Sequence, residues 1–291
     1  MNDSLPHLIN LPPFMFRGVN YKNLSLFSKF IFLIKGKFLG YVIKNLNDKK
    51  FCFFINLFYS KQGTLLFEDE NFVFSTADNK KFHYPNRRVL RVVNEYKVKF
   101  DTILNSYCIN SIKFSKNDWI IDCGANVGEI NLALKEDNIH IKYIAFEPDA
   151  ETYLCLKKNN QESQDLYNLG LSNENKTRDL YIDNEGGNTS FSNFGSRDSK
   201  LVESRTLDSF EFNHIIKLLK IDAEGFEPEV LEGSKNTIKN IEYISVDFGA
   251  ERGVNQDTTI IEVNDLLVSN NFQLIEFSKY RLIGLYKNNL I

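Results

Sequence analysis

The stretch Asp118-Trp119-Ile120-Ile121-Asp122-Cys123-Gly124-Ala125-Asn126-Val127-Gly128 decides how the rest of the chain is read. A short apolar run ends in an acid, Asp122. Gly124, Asn126 and Gly128 follow at alternate positions, and these residue types tolerate backbone angles that others avoid. A helical pattern opens directly afterwards with Glu129-Ile130-Asn131-Leu132-Ala133-Leu134. The spacing predicts a buried strand, a tight turn, and a helix whose N-terminus points back over the strand end. Glycines let a ligand come close to the backbone, and the unpaired amides of a first helical turn suit polar or anionic groups.

Working outward from this stretch, strands and helices alternate. Strands are predicted at 141–147, 167–172, 215–221 and 241–247, with helices at 149–160 and after Pro228, where proline suits a first turn. A helix at 260–269 and two closing strands at 272–277 and 282–286 finish the chain. Between 173 and 212 the sequence is polar and turn-rich, with short strand-like pieces at 178–182 and 204–207 and a flexible loop candidate at 186–190. The pattern is that of a mostly parallel α/β sheet with helices on both faces, ended by an antiparallel hairpin. Ligands of open parallel sheets bind beyond the C-terminal strand ends. Each of four such ends carries an acid here: Asp122, Glu147, Asp222 and Asp247. Crowded carboxylates repel, so a cationic or donor-rich ligand belongs among them.

Two further segments carry the chemistry. Glu147 ends the second strand in Ala145-Phe146-Glu147-Pro148-Asp149, where a carboxylate can accept bonds from both hydroxyls of a ribose. Asp149 reads as the cap of the next helix. The second segment is Leu219-Lys220-Ile221-Asp222-Ala223-Glu224-Gly225. Lys220, Asp222 and Glu224 share parity, so in an extended segment they point the same way. Asp222 and Glu224 then stand at the strand's mouth, with Lys220 deeper and offsetting their charge.

Asp122-x-Gly124-Ala125-Asn126-x-Gly128 resembles the first motif of class I methyltransferases that use S-adenosylmethionine (SAM), and most closely that of the FkbM family. Lys220-Ile221-Asp222-x-Glu224-Gly225 is similar to the Lys-Ile-Asp-x-Glu-Gly motif of the same family at every fixed position. The resemblance spans roughly residues 95–287. It implies a Rossmann-like fold, with Gly124, Ala125, Asn126 and Gly128 passing under the methionine part of SAM. It also implies Glu147 and Pro148 at the ribose, Asp122 toward the ligand ammonium, and Leu171 and Ser172 near the adenine. S-adenosylhomocysteine (SAH) is the implied product. The family is associated with O-methylation of sugar hydroxyls in surface glycans or secondary metabolites.

Methyl transfer from a sulfonium is an in-line displacement, so the acceptor oxygen must be aligned and its proton removed. Asp222 and Glu224 are the expected catalytic pair, sharing the roles of base and hydroxyl orienter. Lys220, Asp247, Glu251 and Arg252 are the expected substrate contacts, with Arg252 suited to a phosphate or carboxylate. Tyr280 and Arg281 are weaker candidates for the pocket rim. Structural readings compete with these: a Lys–Asp pair within the strand, a helix cap, and a surface ion pair for Glu251 and Arg252. No resident metal is expected, a divalent ion on Asp222, Glu224 and Asp247 being the lesser alternative. An NAD(P)-dependent oxidoreductase and a noncatalytic scaffold are the other function classes. Against the first, the glycine spacing is not Gly-x-Gly-x-x-Gly and no Tyr-x-x-x-Lys pair follows the fourth strand. Against the second, both acids are intact.

The first 95 residues carry no motif. They are read as an α+β appendage serving as a lid, a dimer interface or a docking piece, with 96–291 as the SAM-binding domain. Residues 24–43 form an apolar stretch interrupted by Lys29, Lys35 and Lys37, too short between charges to span a bilayer. It is read as a packed helix, with contact to a membrane surface as the alternative. The apolar run 51–59 is expected to be buried. Residues 63–84 alternate and predict two or three short strands, followed by Arg87, Arg88 and Arg91. At 291 residues, 43% hydrophobic and a net charge of −3, the composition is that of an ordinary globular protein and argues against a nucleic-acid binder held by phosphate contacts. The four scattered cysteines read as reduced, buried thiols of a cytoplasmic protein.

Overall fold

The computed structural model describes residues 20, 23–59, 62–93, 95–182, 189–193, 195–196 and 198–291. Most of the irregular N-terminal segment and the Gly186-Gly187-Asn188 part of the expected loop lie outside them. The chain divides into two compact units, Met1–Lys99 and Phe100–Ile291.

The first unit opens with helix α1 (Leu26–Asn45), whose N-cap Ser25 accepts from the Ser28 amide. Helix α2 (Asp48–Phe58) follows, capped by Asn47 accepting from Lys50. Arg87 closes the α1–α2 corner. It donates to the carbonyls of Ile43 and Leu46, pairs with Asp48 at 2.7 Å and lies over the Phe51 ring. Of the three clustered arginines it is therefore spent on the fold. The apolar run of α2 is only half buried: Phe51, Cys52 and Ile55 face inward, while Phe53, Leu57 and Phe58 are exposed. Strands β1 (Gly63–Glu68), β2 (Asn71–Thr76) and β3 (Lys81–Tyr84) form an antiparallel meander. Asp69 and Glu70, both at positive φ, make the tight turn between β1 and β2 that a right-twisted hairpin requires. A short helix α3 (Leu90–Val93) and helix α4 (Tyr96–Ser106) lead onward. Helix α4 stops at Ser106, and Cys108 just beyond it turns left-handed with φ 55°.

The second unit is built on a seven-stranded sheet. Its strands, in chain order, are β4 (Trp119–Cys123), β5 (Lys142–Phe146), β6 (Leu166–Tyr167), β11 (Ile216–Ile221), β12 (Ile241–Asp247), β15 (Phe272–Phe277) and β16 (Ile283–Asn288). The spatial order is β15-β16-β12-β11-β4-β5-β6; β4, β5, β6, β11 and β12 are parallel, and β15–β16 form the antiparallel end. The expected α/β architecture with its terminal hairpin is thus present. Helices α5 (Glu129–Glu136), α6 (Ala150–Asn159), α7 (Glu227–Glu232) and α8 (Ile260–Ser269) connect the strands. Ile121, Ile144, Phe146, Leu219, Ile221, Ile244 and Val246 fill the core; strands covered on both sides need such runs of branched residues.

The chain runs outward from β4 to β5 and β6, then returns to β11 on the other side of β4. The crevice between the ends of β4 and β11 is therefore the topological switch point, where ligands of such sheets bind. One expectation fails here. The third strand, predicted at 167–172, breaks into β6 and β7 (Gly170–Leu171), which join different sheets. β7 pairs with β10 (Ser199–Arg205) in a small four-stranded sheet that also holds β8 (Lys176–Ile182) and β9 (Thr189–Ser190). Periodicity alone cannot show that two consecutive dipeptides change partners. A two-stranded β13–β14 ribbon (Ala250–Arg252, Asp257–Thr258) follows β12.

Candidate active site

The turn after β4 is fixed by its backbone. Gly124, Asn126 and Gly128 all have positive φ (70°, 51° and 81°), as the spacing requires. The Gly124 and Ala125 amides both donate to the Phe146 carbonyl at 3.0 Å, tying the turn to the end of β5. A Cβ on Gly124 would lie 1.9 Å from the Asp222 carbonyl oxygen, and one on Gly128 would strike Asn160. Only glycine permits these approaches. The Asn126 amide donates to Glu147 Oε2 at 2.8 Å, and the Asp149 amide donates to Glu147 Oε1 at 3.0 Å. Pro148 leads into the Asp149 cap of α6, which accepts from Thr152. Burial pushes the Glu147 carboxyl up to about 7 against these two amides, which favour its charged form. Each Glu147 oxygen is left with one free lone pair.

Beneath the turn lies a buried charge cluster. Lys220 donates to the carbonyls of Cys123 (3.1 Å) and Gly124 (2.7 Å). Its ammonium also lies 3.0 Å from Asp122 Oδ1, a buried ion pair. Asp122 takes its hydrogen bond from the Tyr143 hydroxyl at 2.6 Å. Burial works to discharge Lys220, but Asp122 and then Asp222 outweigh it and hold the ammonium charged. Lys220 is 3% exposed and Asp122 1%. Both are deeply buried, and Lys220 ties down the carbonyls beneath the glycine turn while Asp122 balances its charge. Leu171 and Ser172, expected at the adenine, are likewise packed inside, with the Ser172 amide bonded to the Arg205 carbonyl.

The acids of the second motif stand at the end of β11. The shared parity of Lys220, Asp222 and Glu224 does not extend past Ile221, where β11 ends. Glu224 and Gly225 turn left-handed, with φ 50° and 93°. A left-handed glutamate is uncommon and costs energy, the kind of strain that gathers at functional loops. Glu227 holds this loop: it accepts from the Ala223 and Gly225 amides and from the Thr259 hydroxyl. The loop brings one oxygen each of Asp222, Glu224 and Glu251 within 4.8 Å of one another. Asp222 Oδ1 and Glu251 Oε2 are buried without a hydrogen-bond partner. Burial first, then the Asp222 charge, raises the Glu251 carboxyl.

Two residues absent from the sequence motifs complete this end of the sheet. The Tyr107 hydroxyl donates to Asp222 Oδ2, and its ring carries the cations of Lys220 at 5.2 Å and Arg281 at 5.6 Å. Arg281 donates to the Tyr107 hydroxyl and sits 2.5 Å from Asp247 Oδ2 and 4.0 Å from Asp222 Oδ2. Asp247 is thus a partner of Arg281 and of the Gly249 amide. It is not a member of the acid trio, where Glu251 takes the place expected for it in the divalent-ion alternative. Burial, chiefly, and the Asp222 charge push the Asp247 carboxyl up to about 7. Arg252, expected to meet an anionic substrate, is engaged internally. It makes a two-pronged bond to Glu229 (2.9 and 2.8 Å) and a bond to the Gly225 carbonyl. Tyr280 is 72% exposed beside Arg281. Arg281 carried a weak signal, an arginine in the turn before a closing strand; Tyr107 carried none.

A final layer comes from the small sheet. Ser190 donates to the Glu224 carbonyl, and Ser192 accepts from the Gly253 amide, so this segment lies across both acid-bearing loops.

SAM fits this donor set. Glu147 retains two acceptor positions for a vicinal diol, and the turn above it is stripped of side chains at Gly124 and Gly128. The curated methyltransferase sdnD of Sordaria araneosa is 25% identical over 173 residues, which span 46% of this chain and 67% of sdnD. Among solved structures, TrmK of M. capricolum in complex with SAH is similar at 15% identity over 63% of this chain and 69% of its own, with a TM-score of 0.36. A SAM dependent methyltransferase from Aquifex aeolicus is similar at 12% identity over 66% and 97%, with a TM-score of 0.37. The family model for the methyltransferase FkbM domain matches residues 122–274, more than half of the chain and inclusive of both glycine-turn and acid-loop motifs. By that match the chain belongs to the FkbM family, and it is a SAM-dependent methyltransferase.

Proposed function

We propose that the enzyme methylates a hydroxyl of a carbohydrate, either a nucleotide-linked sugar or a surface glycan. The observation that supports this is the pair of buried carboxylate oxygens, Asp222 Oδ1 and Glu251 Oε2, that lack any donor. Orphaned acceptors favour a ligand rich in O–H donors, since each unmet buried acceptor costs about 1–3 kcal/mol. A sugar ring offers several hydroxyls on one rigid frame. The near-neutral charge of the chain favours the same class over an RNA acceptor.

In this reading Glu147 holds the ribose of SAM, and the turn 124–128 lies along its methionine part. SAM supplies a methyl already activated by its sulfonium. Asp222 and Glu224 align the acceptor hydroxyl and take its proton as the carbon–oxygen bond forms. The proton ends on a carboxylate, and SAH leaves. Glu251 bonds a neighbouring acceptor hydroxyl. Arg281 and Tyr107 hold Asp222 and Asp247 and keep the crowded acids from all repelling one another. Lys220 and Asp122 act beneath, through the backbone of the turn. We place this machinery in residues 96–291 and assign residues 1–95 to docking.

A screen of sugar nucleotides with isotopically labelled SAM, read by mass spectrometry, tests the acceptor class. Transfer to a sugar hydroxyl is expected; transfer to RNA or to a non-sugar acceptor alone overturns it. With an acceptor found, Asp222→Asn and Glu224→Gln should each lower kcat by about 10²–10⁴-fold while SAH affinity stays within twofold or so by calorimetry. Full turnover in both variants removes these acids from the chemistry.

A further inference from the structure

Helix α1 is the longest helix among the described residues, and one side of it is exposed, covered by none of the other described residues. Leu26, Phe27, Phe30, Ile31, Ile34, Phe38 and Tyr41 are all exposed, Leu26 and Phe27 at 86% and 73%. At about 100° per residue these seven positions fall within one arc of about 140°. Gly36 and Leu39 are buried on the other side, and Val42 is buried just past one edge of the arc. The exposed arc has basic edges. Lys44 and Lys37 stand at one end of the arc, Lys37 just inside it, and Lys35 lies about 40° beyond the other end; all three are exposed. No Asp or Glu occurs between Leu26 and Asn45. The apolar surface continues onto α2, where Phe38 packs edge-on against Phe54 and Phe58, and Phe53, Leu57 and Phe58 are exposed in turn. Lys49 and Lys50 extend the basic border, and the single acid of α2, Asp48, is already paired with Arg87.

We infer that this face lies in the interface of an anionic lipid bilayer, with α1 parallel to the membrane plane. An apolar stripe between lysines is the arrangement such a surface selects: the rings enter the acyl boundary while lysine stems reach back to the headgroups. The helix is about 30 Å long but interrupted by charge, and no described helix is long and apolar enough to cross a membrane. Charge also decides between a bilayer and a second copy of the chain. Two copies meeting through α1 would bring lysine borders together with no acid on either helix to answer them. Phosphate headgroups answer them directly. This inference rests on α1 and α2 alone and is independent of the acceptor proposed above.

Co-sedimentation of the full chain with vesicles tests it. The chain should bind vesicles of mixed phosphatidylglycerol and phosphatidylcholine at low salt, bind pure phosphatidylcholine far more weakly, and be released by high salt. Replacing Lys35, Lys37 and Lys44 together by Gln should weaken partitioning on the order of a hundredfold, at about fivefold per lysine. Phe30→Ser with Ile34→Ser should abolish it. Both side chains are exposed, so the melting curve and SAH affinity of that variant should match the parent. Absence of binding to anionic vesicles overturns the inference. So does binding that the lysine variant leaves unchanged, or a dimer, seen by light scattering, that forms without lipid and is lost in the Phe30–Ile34 variant.

Discussion

Glu147 has to satisfy two backbone amides and still serve a ligand, and its burial makes it costly to leave unmet. Both amides come from loops that a cofactor would touch, Asn126 in the glycine turn and Asp149 at the start of α6. On the proposed reading, removing the carboxylate takes away the ribose contacts, and it loosens both loops. Glu147→Ala should raise the SAH dissociation constant by about ten- to a hundredfold, as expected when charge-assisted bonds worth roughly 1.5–3 kcal/mol are lost. Titration calorimetry reads this, and unchanged affinity would take Glu147 out of the ribose site. At this scale the sequence was legible wherever a residue's role follows from its own neighbours in the chain. The left-handed turn at Asn126 and the helix cap at Asp149 are of that kind. Lys220 and Asp122 are not: a strand end in the sequence does not show which way a side chain turns. Only the tertiary structure reveals that this pair serves carbonyls under the turn. Arg252 looked available because its partner Glu229 stands on another element.

The meeting of two strand ends is the element that holds the site. The Asp222 amide bonds the Cys123 carbonyl at 3.1 Å, and Gly124 fits against the Asp222 carbonyl with no room for a methyl. Gly124→Ala should therefore separate the glycine turn from the acid loop. The strained φ and the backbone clash together should cost about 2–4 kcal/mol, lowering Tm by about 5–15 °C. Gly40→Ala makes the opposite case. It lies inside α1 with nothing within 4 Å of an added Cβ, so helix propensity alone should stabilise it, by up to about 1 kcal/mol. A scan of both variants checks the contrast, and a melt of Gly124→Ala at the parent temperature would refute the close approach. Strand–turn–helix units were readable because glycine spacing and apolar runs are local signals. The exchange of sheets between β6 and β7 was not, since hydrogen-bond partners distant in sequence decide it. Nor was the left-handed Glu224, which sits where strand parity predicted continued extension.

At the scale of the molecule, the second unit carries acids that burial holds partly protonated. Glu147, Glu227 and Asp247 are each pushed up to about 7, above the carboxylate range of an unfolded chain near 4. Between those values the folded state keeps protons that the unfolded state has released, so stability is greatest at the acid end and falls as pH rises through 7. Urea midpoints of the cofactor-free protein should be higher at pH 5.5 than at pH 8; a midpoint that rises with pH would contradict the burial of these groups. Two units in one chain also mean that two transitions are expected in such melts. The parallel sheet and its closing hairpin could be read from hydrophobic alternation along the chain. Of the small sheet between Gly170 and Arg205 only the piece at 178–182 could be read, because its polar strands gain their place from one another. That small sheet departs from Leu171 and returns at Arg205, and these two residues lie side by side in parallel register. A detour whose ends touch can be lengthened, shortened or exchanged like a cassette without pulling on the frame. Because it carries Ser190 and Ser192 across the acid loops, each exchange would reshape the acceptor's doorway while the grip on the methyl donor stays as it was.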